Sequence, residues 1–179
     1  MEYLDVLNQQ GEKTGEVVSY DKAHEEGIMH RAVHVWFVNS QKELLLQKRN
    51  STRRAYPNHW DISAAGHVSA GEMSLRAAQK ETREELGLDL PDSAFAFLFT
   101  IEEHVVLNEG SYIANEFQDV YLVSMDVDVS KLSLQSEEVE EVRWLSLEEF
   151  REWLGGKGES VVPHPDEHKR LLGYLSDTF

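Results

Sequence analysis

The chain has 179 residues, 41% of them hydrophobic, and no cysteine. That length and apolar share support one domain with a real core, and the missing thiols exclude disulfides, zinc fingers, iron–sulfur clusters and thiolate nucleophiles. A formal charge of −16, from 17 Lys+Arg against 33 Asp+Glu, argues against a nucleic-acid polymer or an anionic membrane as partner; a small phosphorylated ligand stays allowed if a metal or a local basic cluster meets its charge.

Residues 1–5 lack the basic start and apolar core of a secretory leader, and no apolar run is long enough for a membrane span, so the cytoplasm is the expected compartment. Residues 5–8 read as a strand, 9–11 as a turn and 15–19 as a return strand. Residues 32–38 and 44–47, joined by a polar 39–42, predict a second hairpin, and 61–65 a short strand before Gly66. Residues 73–86 form the strongest helical stretch, rich in Ala, Leu, Glu, Arg and Lys and stopped by Gly87. Strands follow at 95–103, 117–125 and 142–145, then helices at 147–154 and 167–175, with 155–165 the loosest segment. Strands cluster on both sides of the main helix, which predicts mixed α/β layering rather than a doubly wound parallel sheet. No repeat or linker divides the chain, so a single domain over 1–179 is expected: a β-hairpin unit at 1–30, the motif at 66–88, and a helical end at 146–179.

On a wheel of about 100° per residue, Glu81, Glu84 and Glu85 share one side of the 73–86 helix as i, i+3, i+4 neighbours. Leu75, Ala78, Thr82 and Leu86 make a core side, and Arg76, Lys80 and Arg83 a third sector. Three carboxylates in one patch repel unless something neutralises them. A hard divalent cation does so, Mg²⁺ preferring oxygen ligands and substrate phosphates; a solvated acidic helix face is the competing meaning.

Gly66, five residues, Glu72, seven residues, then Lys80-Glu81-Thr82-x-Glu84-Glu85-x-Gly87-Leu88 resembles the Nudix box. Lys80 stands where the family has Arg, which weakens any pairing with Glu72, and Thr82 where it has an aliphatic residue. The resemblance implies a mixed sheet sandwiched between helices, a Mg²⁺ or Mn²⁺ site at Glu81, Glu84 and Glu85, and attack of water on a diphosphate.

His30-Arg31-Ala32, the run 44–49, Tyr56-Pro57-x-x-Trp60-Asp61 and Asn115-Glu116-Phe117 are similar to the isopentenyl-diphosphate isomerase-like branch of that family. The similarity implies that Arg49 and Arg53 hold the diphosphate. It also implies a metal at positions like His24, His30, His67 and Glu116, His24 aligning only with one residue deleted before His30, and Ala114 standing where a second glutamate is needed. The isomerase cysteine is absent: Asp61-Ile62-Ser63-Ala64-Ala65-Gly66-His67 offers alanine there. Hydrolysis of a phosphoanhydride is therefore expected over movement of a proton on an alkene carbon.

The expected enzyme cleaves a small organic diphosphate, an isoprenyl diphosphate or a nucleoside diphosphate derivative, as a monomer or homodimer. A carboxylate takes the proton of the attacking water. Glu84 and Glu85 are the expected catalytic pair, with Glu116, Glu137 and Glu138 as other candidates. Arg49, Arg53, His30, His67 and Trp60 are the expected substrate contacts, and Glu81, Glu84, Glu85 and Glu116 the expected metal ligands. His34 reads as a satisfied core or surface histidine, and His59, His104, His164 and His168 have no evident partner.

Overall fold

A computed structural model describes residues 1–178. The expected helical end runs to position 179, which lies outside the described residues. Strands β1 (Tyr3–Leu7) and β2 (Lys13–Ser19) pair antiparallel as a small separate sheet. A helix absent from the sequence expectation follows, α1 (Tyr20–Glu26), capped by the Ser19 hydroxyl and ended by Gly27 in the left-handed conformation.

The main sheet has seven strands: β3 (His30–Val38), β4 (Glu43–Arg49), β5 (Trp60–Asp61), β6 (Ala64–His67), β7 (Phe95–Leu107), β8 (Tyr112–Ser124) and β9 (Val139–Ser146). Its main path runs β5-β4-β3-β8-β7, with β6 on β3 and β9 on β4. The β3–β8 pair is parallel and the others antiparallel, so the sheet is mixed, as expected. The single strand expected at 61–65 is two, split at Ile62-Ser63, where the Ser63 hydroxyl bonds the backbone of Leu45 and Phe37. Strands β7 and β8 run longer than their apolar cores suggest, because they continue as one antiparallel arm to the turn at Asn108.

Alternation along the strands divides the core in two. Val33, Val35, Phe37 and Leu45 pack with Ala77, Ala78 and Leu86 of α2 (Ser74–Leu86). Trp36, Val38, Leu44 and Leu46 pack with Phe150 of α3 (Leu147–Leu154) and with Leu171 and Leu175 of α4 (Pro165–Thr178). The sheet is therefore sandwiched between helices. Thr82 is fully buried on α2 and gives its hydroxyl to the Ala78 carbonyl, which explains why a hydroxyl is tolerated on the core side.

Candidate functional site

A cleft of about 800 Å³ opens over the sheet at the ends of β3, β6 and β8. Gly66, Glu81, Glu84, Arg49, Arg53, His67 and Glu116 line it. Helix α2 leans so close to β6 that a Cβ at Gly66 would meet the Glu81 carboxylate; only glycine leaves that carboxylate its place.

The three box glutamates differ in setting. Glu84 is exposed, Glu81 is half-buried, and Glu85 is 2% exposed behind the cleft wall. Glu85 Oε2 accepts from Gln47 Nε2 at 3.2 Å and from the Ala65 amide at 3.0 Å. Burial chiefly, and then the Glu81 charge, push Glu85 well above the usual carboxylate range. Burial likewise pushes Glu81 up to about 7, with Lys80 opposing and the Glu84 charge adding. Lys80 lies 3.1 Å from Glu81 and 3.9 Å from Glu2, while Glu72 accepts from the Ser69 amide. Lys80, expected to pair only weakly with Glu72, pairs instead with Glu81. Crowded, partly desolvated carboxylates beside one lysine fit a hard cation.

Glu116 does not join the box glutamates. The parallel β3–β8 register sets it opposite His30, β6 brings His67, and α1 brings His24. The ligand atoms of His24, His30, His67 and Glu116 lie within 4.8 Å of one another. Glu116 Oε1 is 3.8, 3.4 and 3.3 Å from the Nε2 atoms of His24, His30 and His67. The Nδ1 of His24 faces the Tyr20 carbonyl at 2.9 Å and that of His30 the Ile28 carbonyl at 2.7 Å. A carbonyl only accepts, so each Nδ1 carries a proton and each Nε2 turns inward. Those two Nε2 atoms are buried without a hydrogen-bond partner. Rings oriented by backbone carbonyls, with Nε2 atoms that converge on one carboxylate, fit a transition-metal site. Burial opposes ionisation of Glu116, but the three histidines hold it well below the usual range.

Arg49 and Arg53 both line the cleft. Arg49 donates to Asp61 Oδ2 and to the Ala55 carbonyl, each at 2.9 Å, and Arg53 pairs with Glu138. Two expected substrate contacts are corrected. Trp60 is 0% exposed, packs with Trp36 and Phe150, and gives its indole N–H to Glu159. His30 is 0% exposed behind the wall, facing Glu116. His67 does reach the cleft. Sequence reasoning missed Gln47, whose role behind Glu85 only the β4–α2 packing reveals, and the partners of His34 and His164. His34 bonds Glu167 at 2.7 Å, and His164 lies between Asp61 and Glu103.

This sheet between helices, with a glycine-spaced carboxylate helix over a cleft, is the arrangement of a NUDIX domain, and the NUDIX domain family matches residues 28–164. The chain belongs to that family. It is 45% identical over 166 residues to Nudix hydrolase 3 of Arabidopsis thaliana, which covers 91% of this chain, while the chain spans only 22% of that protein's length. It is 36% identical over 163 residues to the Nudix hydrolase lmo0368 of Listeria monocytogenes, covering 90% of this chain and 89% of that one. It is 31% identical over 156 residues to an isopentenyl-diphosphate Delta-isomerase of Pectobacterium atrosepticum, covering 83% and 85%. Among solved structures, DR0079 from Deinococcus radiodurans shares the fold, with a TM-score of 0.73 and 23% identity over 97% of this chain and 99% of that one.

Proposed function

We propose that the chain hydrolyses a small organic diphosphate, an isoprenyl diphosphate or a nucleoside diphosphate derivative, with a divalent cation. The carrying observation is that Glu81 and Glu84 line the same cleft as Arg49 and Arg53, with Glu85 of the same helix buried behind its wall. Glu81, Glu84 and Glu85 would hold Mg²⁺ or Mn²⁺, and His24, His30, His67 and Glu116 a second, softer ion. Such ions neutralise phosphate charge and lower the pKa of a bound water.

The chain's own groups do the rest. Arg49 and Arg53 grip phosphate oxygens and orient the phosphorus for in-line attack. Arg53 exchanges Glu138 for the ligand. Glu84, the exposed carboxylate of the patch, takes the proton of the attacking water. Glu85, held by Gln47 and the Ala65 amide, keeps the patch in place or shares that role. An oxygen–phosphorus bond forms from water, and the bond to the bridging oxygen breaks. Among the described residues no helix is long and apolar enough to cross a membrane, and we place the protein in the cytoplasm, as one domain, acting as a monomer or homodimer.

The test is a screen of diphosphates with Mg²⁺, scoring phosphate, pyrophosphate and nucleoside monophosphate separately. Failure of every compound refutes the proposal. The histidine cluster and the isomerase-named relative favour a second reading, isomerisation with a different acid. Ala65 in the wall argues against it, since alanine carries no proton. Deuterium entering an isoprenyl diphosphate from D₂O would establish it; phosphate release without exchange would reject it.

A further inference from the structure

His164 belongs to neither carboxylate helix nor histidine cluster, yet it stands in the cleft wall. The chain before it is laid along β5 by the Val162 amide on the Trp60 carbonyl and the Trp60 amide on the Ser160 carbonyl, each at 2.8 Å. After it, α4 begins. The ring is 8% exposed. Its Nδ1 lies 3.0 Å from Glu103 Oε1 and its Nε2 3.4 Å from Asp61 Oδ1. Carboxylate oxygens only accept, so a ring with one at each nitrogen carries both protons and is an imidazolium.

The bonds continue on both sides. Asp61, 5% exposed, turns Oδ2 to Arg49 Nη1 at 2.9 Å, and Arg49 Nε is tied to Ala55. Glu103 Oε2 accepts from Gln118 Nε2 at 2.7 Å, and the same amide reaches Glu116 Oε2 at 3.0 Å. A line of hydrogen bonds and one ion pair, His164 to Asp61, therefore crosses the cleft floor from Arg49 to Glu116 with His164 in its middle. His34, Glu167 and His168 face the ring from β3 and α4; the His34 and His168 rings lie 5.1 and 5.7 Å away. Glu167 is itself engaged by His34 and by Trp36 Nε1.

We propose that His164 is a positioning residue: its imidazolium holds Asp61, and Asp61 holds the Arg49 guanidinium in the orientation that meets a diphosphate. The proposal rests on the reading of Arg49 as a phosphate ligand. Two tied donors leave the remaining Arg49 hydrogens free for phosphate oxygens. Removing the imidazolium leaves Asp61 and Glu103 facing the ligand with Arg49 as their one neighbouring cation on this line. One carboxylate is then in excess, and it commits Arg49 to Asp61 and turns its free hydrogens away from the ligand. Burial opposes a charge on His164, but Asp61 and then Glu103 keep it well above the ordinary imidazole range.

The test is calorimetric binding of methylenediphosphonate, whose bridge resists hydrolysis, to the full chain in Mg²⁺. The proteins are the wild type, His164→Leu, His164→Gln, Arg49→Ala and the doubles of Arg49→Ala with each His164 change. His164→Leu is expected to weaken binding about tenfold or more, and His164→Gln less, because a buried charged partner is lost. In the Arg49→Ala background the same change is expected to cost less than about twofold, the signature of one residue acting through another. Equal losses in both backgrounds overturn the proposal. So does an unchanged Kd with only a lower melting temperature, which is what a purely structural role gives. If His164→Leu does not fold, His164→Gln supplies the same comparison. Arg49→Ala binding like wild type is a separate failure, one of the Arg49 reading itself.

Discussion

Gly66 and Glu81 are so close that a Cβ on the glycine would collide with the Glu81 carboxyl group. The atom met is the far end of a side chain, so Gly66→Ala displaces the carboxylate rather than the backbone. We expect the melting temperature to hold within a few degrees while diphosphate hydrolysis falls about 10- to 100-fold, the usual cost of disturbing support around a metal site. Thermal melts and initial rates across a Mg²⁺ titration check this. Full activity in that variant would remove Glu81 from the site.

Glu85→Gln keeps the shape of the side chain and removes its charge. Its Oε2 is already held by Gln47 and the Ala65 amide. The fold is expected to survive and turnover to drop about a thousandfold or more, as for loss of a group acting in the transition state. If hydrolysis disappears with the fold intact, a non-catalytic binding module is eliminated. Wild-type turnover would instead reject the assignment.

Glu81 also makes stability depend on pH. Its carboxyl is raised from 4.5 to about 7, so between those values the folded state holds a proton that the unfolded chain has released. Stability then falls as pH rises through that window, in metal-free protein. The full effect is on the order of 3 kcal/mol. His168, lowered to about 4, works in the opposite sense, so the quantity to read is wild type minus Glu81→Gln. In chelator, urea midpoints should show the variant gaining on wild type from pH 5 to pH 8, and Mg²⁺ at pH 8 should close the gap. A gap independent of pH would show that the carboxyl is not held protonated.

Glu116→Gln tests the histidine cluster. The carboxylate is 7% exposed among three imidazoles. We expect Co²⁺ binding at this cluster, followed by visible absorption with the box site saturated by Mg²⁺, to weaken by at least about tenfold. The box site should still take Mg²⁺. Unaltered spectra at equal Co²⁺ would show that the cluster is a proton-sharing group and not a metal site.

Much of the architecture was legible because its signals are local. The three box glutamates fall on one face by helical spacing, and Gly87 ends α2 in the left-handed conformation, its amide on the Arg83 carbonyl and the Leu88 amide on that of Thr82. The β-branched and aromatic run at 32–38 and the polar turn after it predicted the hairpin correctly. Helix α1 was missed because seven residues are too few for a periodic pattern, and with it went the place of His24. Trp60 was misjudged because proximity to the box along the chain does not say which side of the sheet a ring faces.

Residue types and their short-range spacing were enough to establish the family, the sheet-and-helix layering and the carboxylate helix. Which carboxylate keeps company with which imidazole was settled only in three dimensions. Glu116 meets His30 through a parallel pairing that spans more than eighty positions, and His164 finds Asp61 and Glu103 only once the C-terminal segment folds back on β5. Such pairings depend on strand order and register, which join distant segments and leave no periodic trace along the chain.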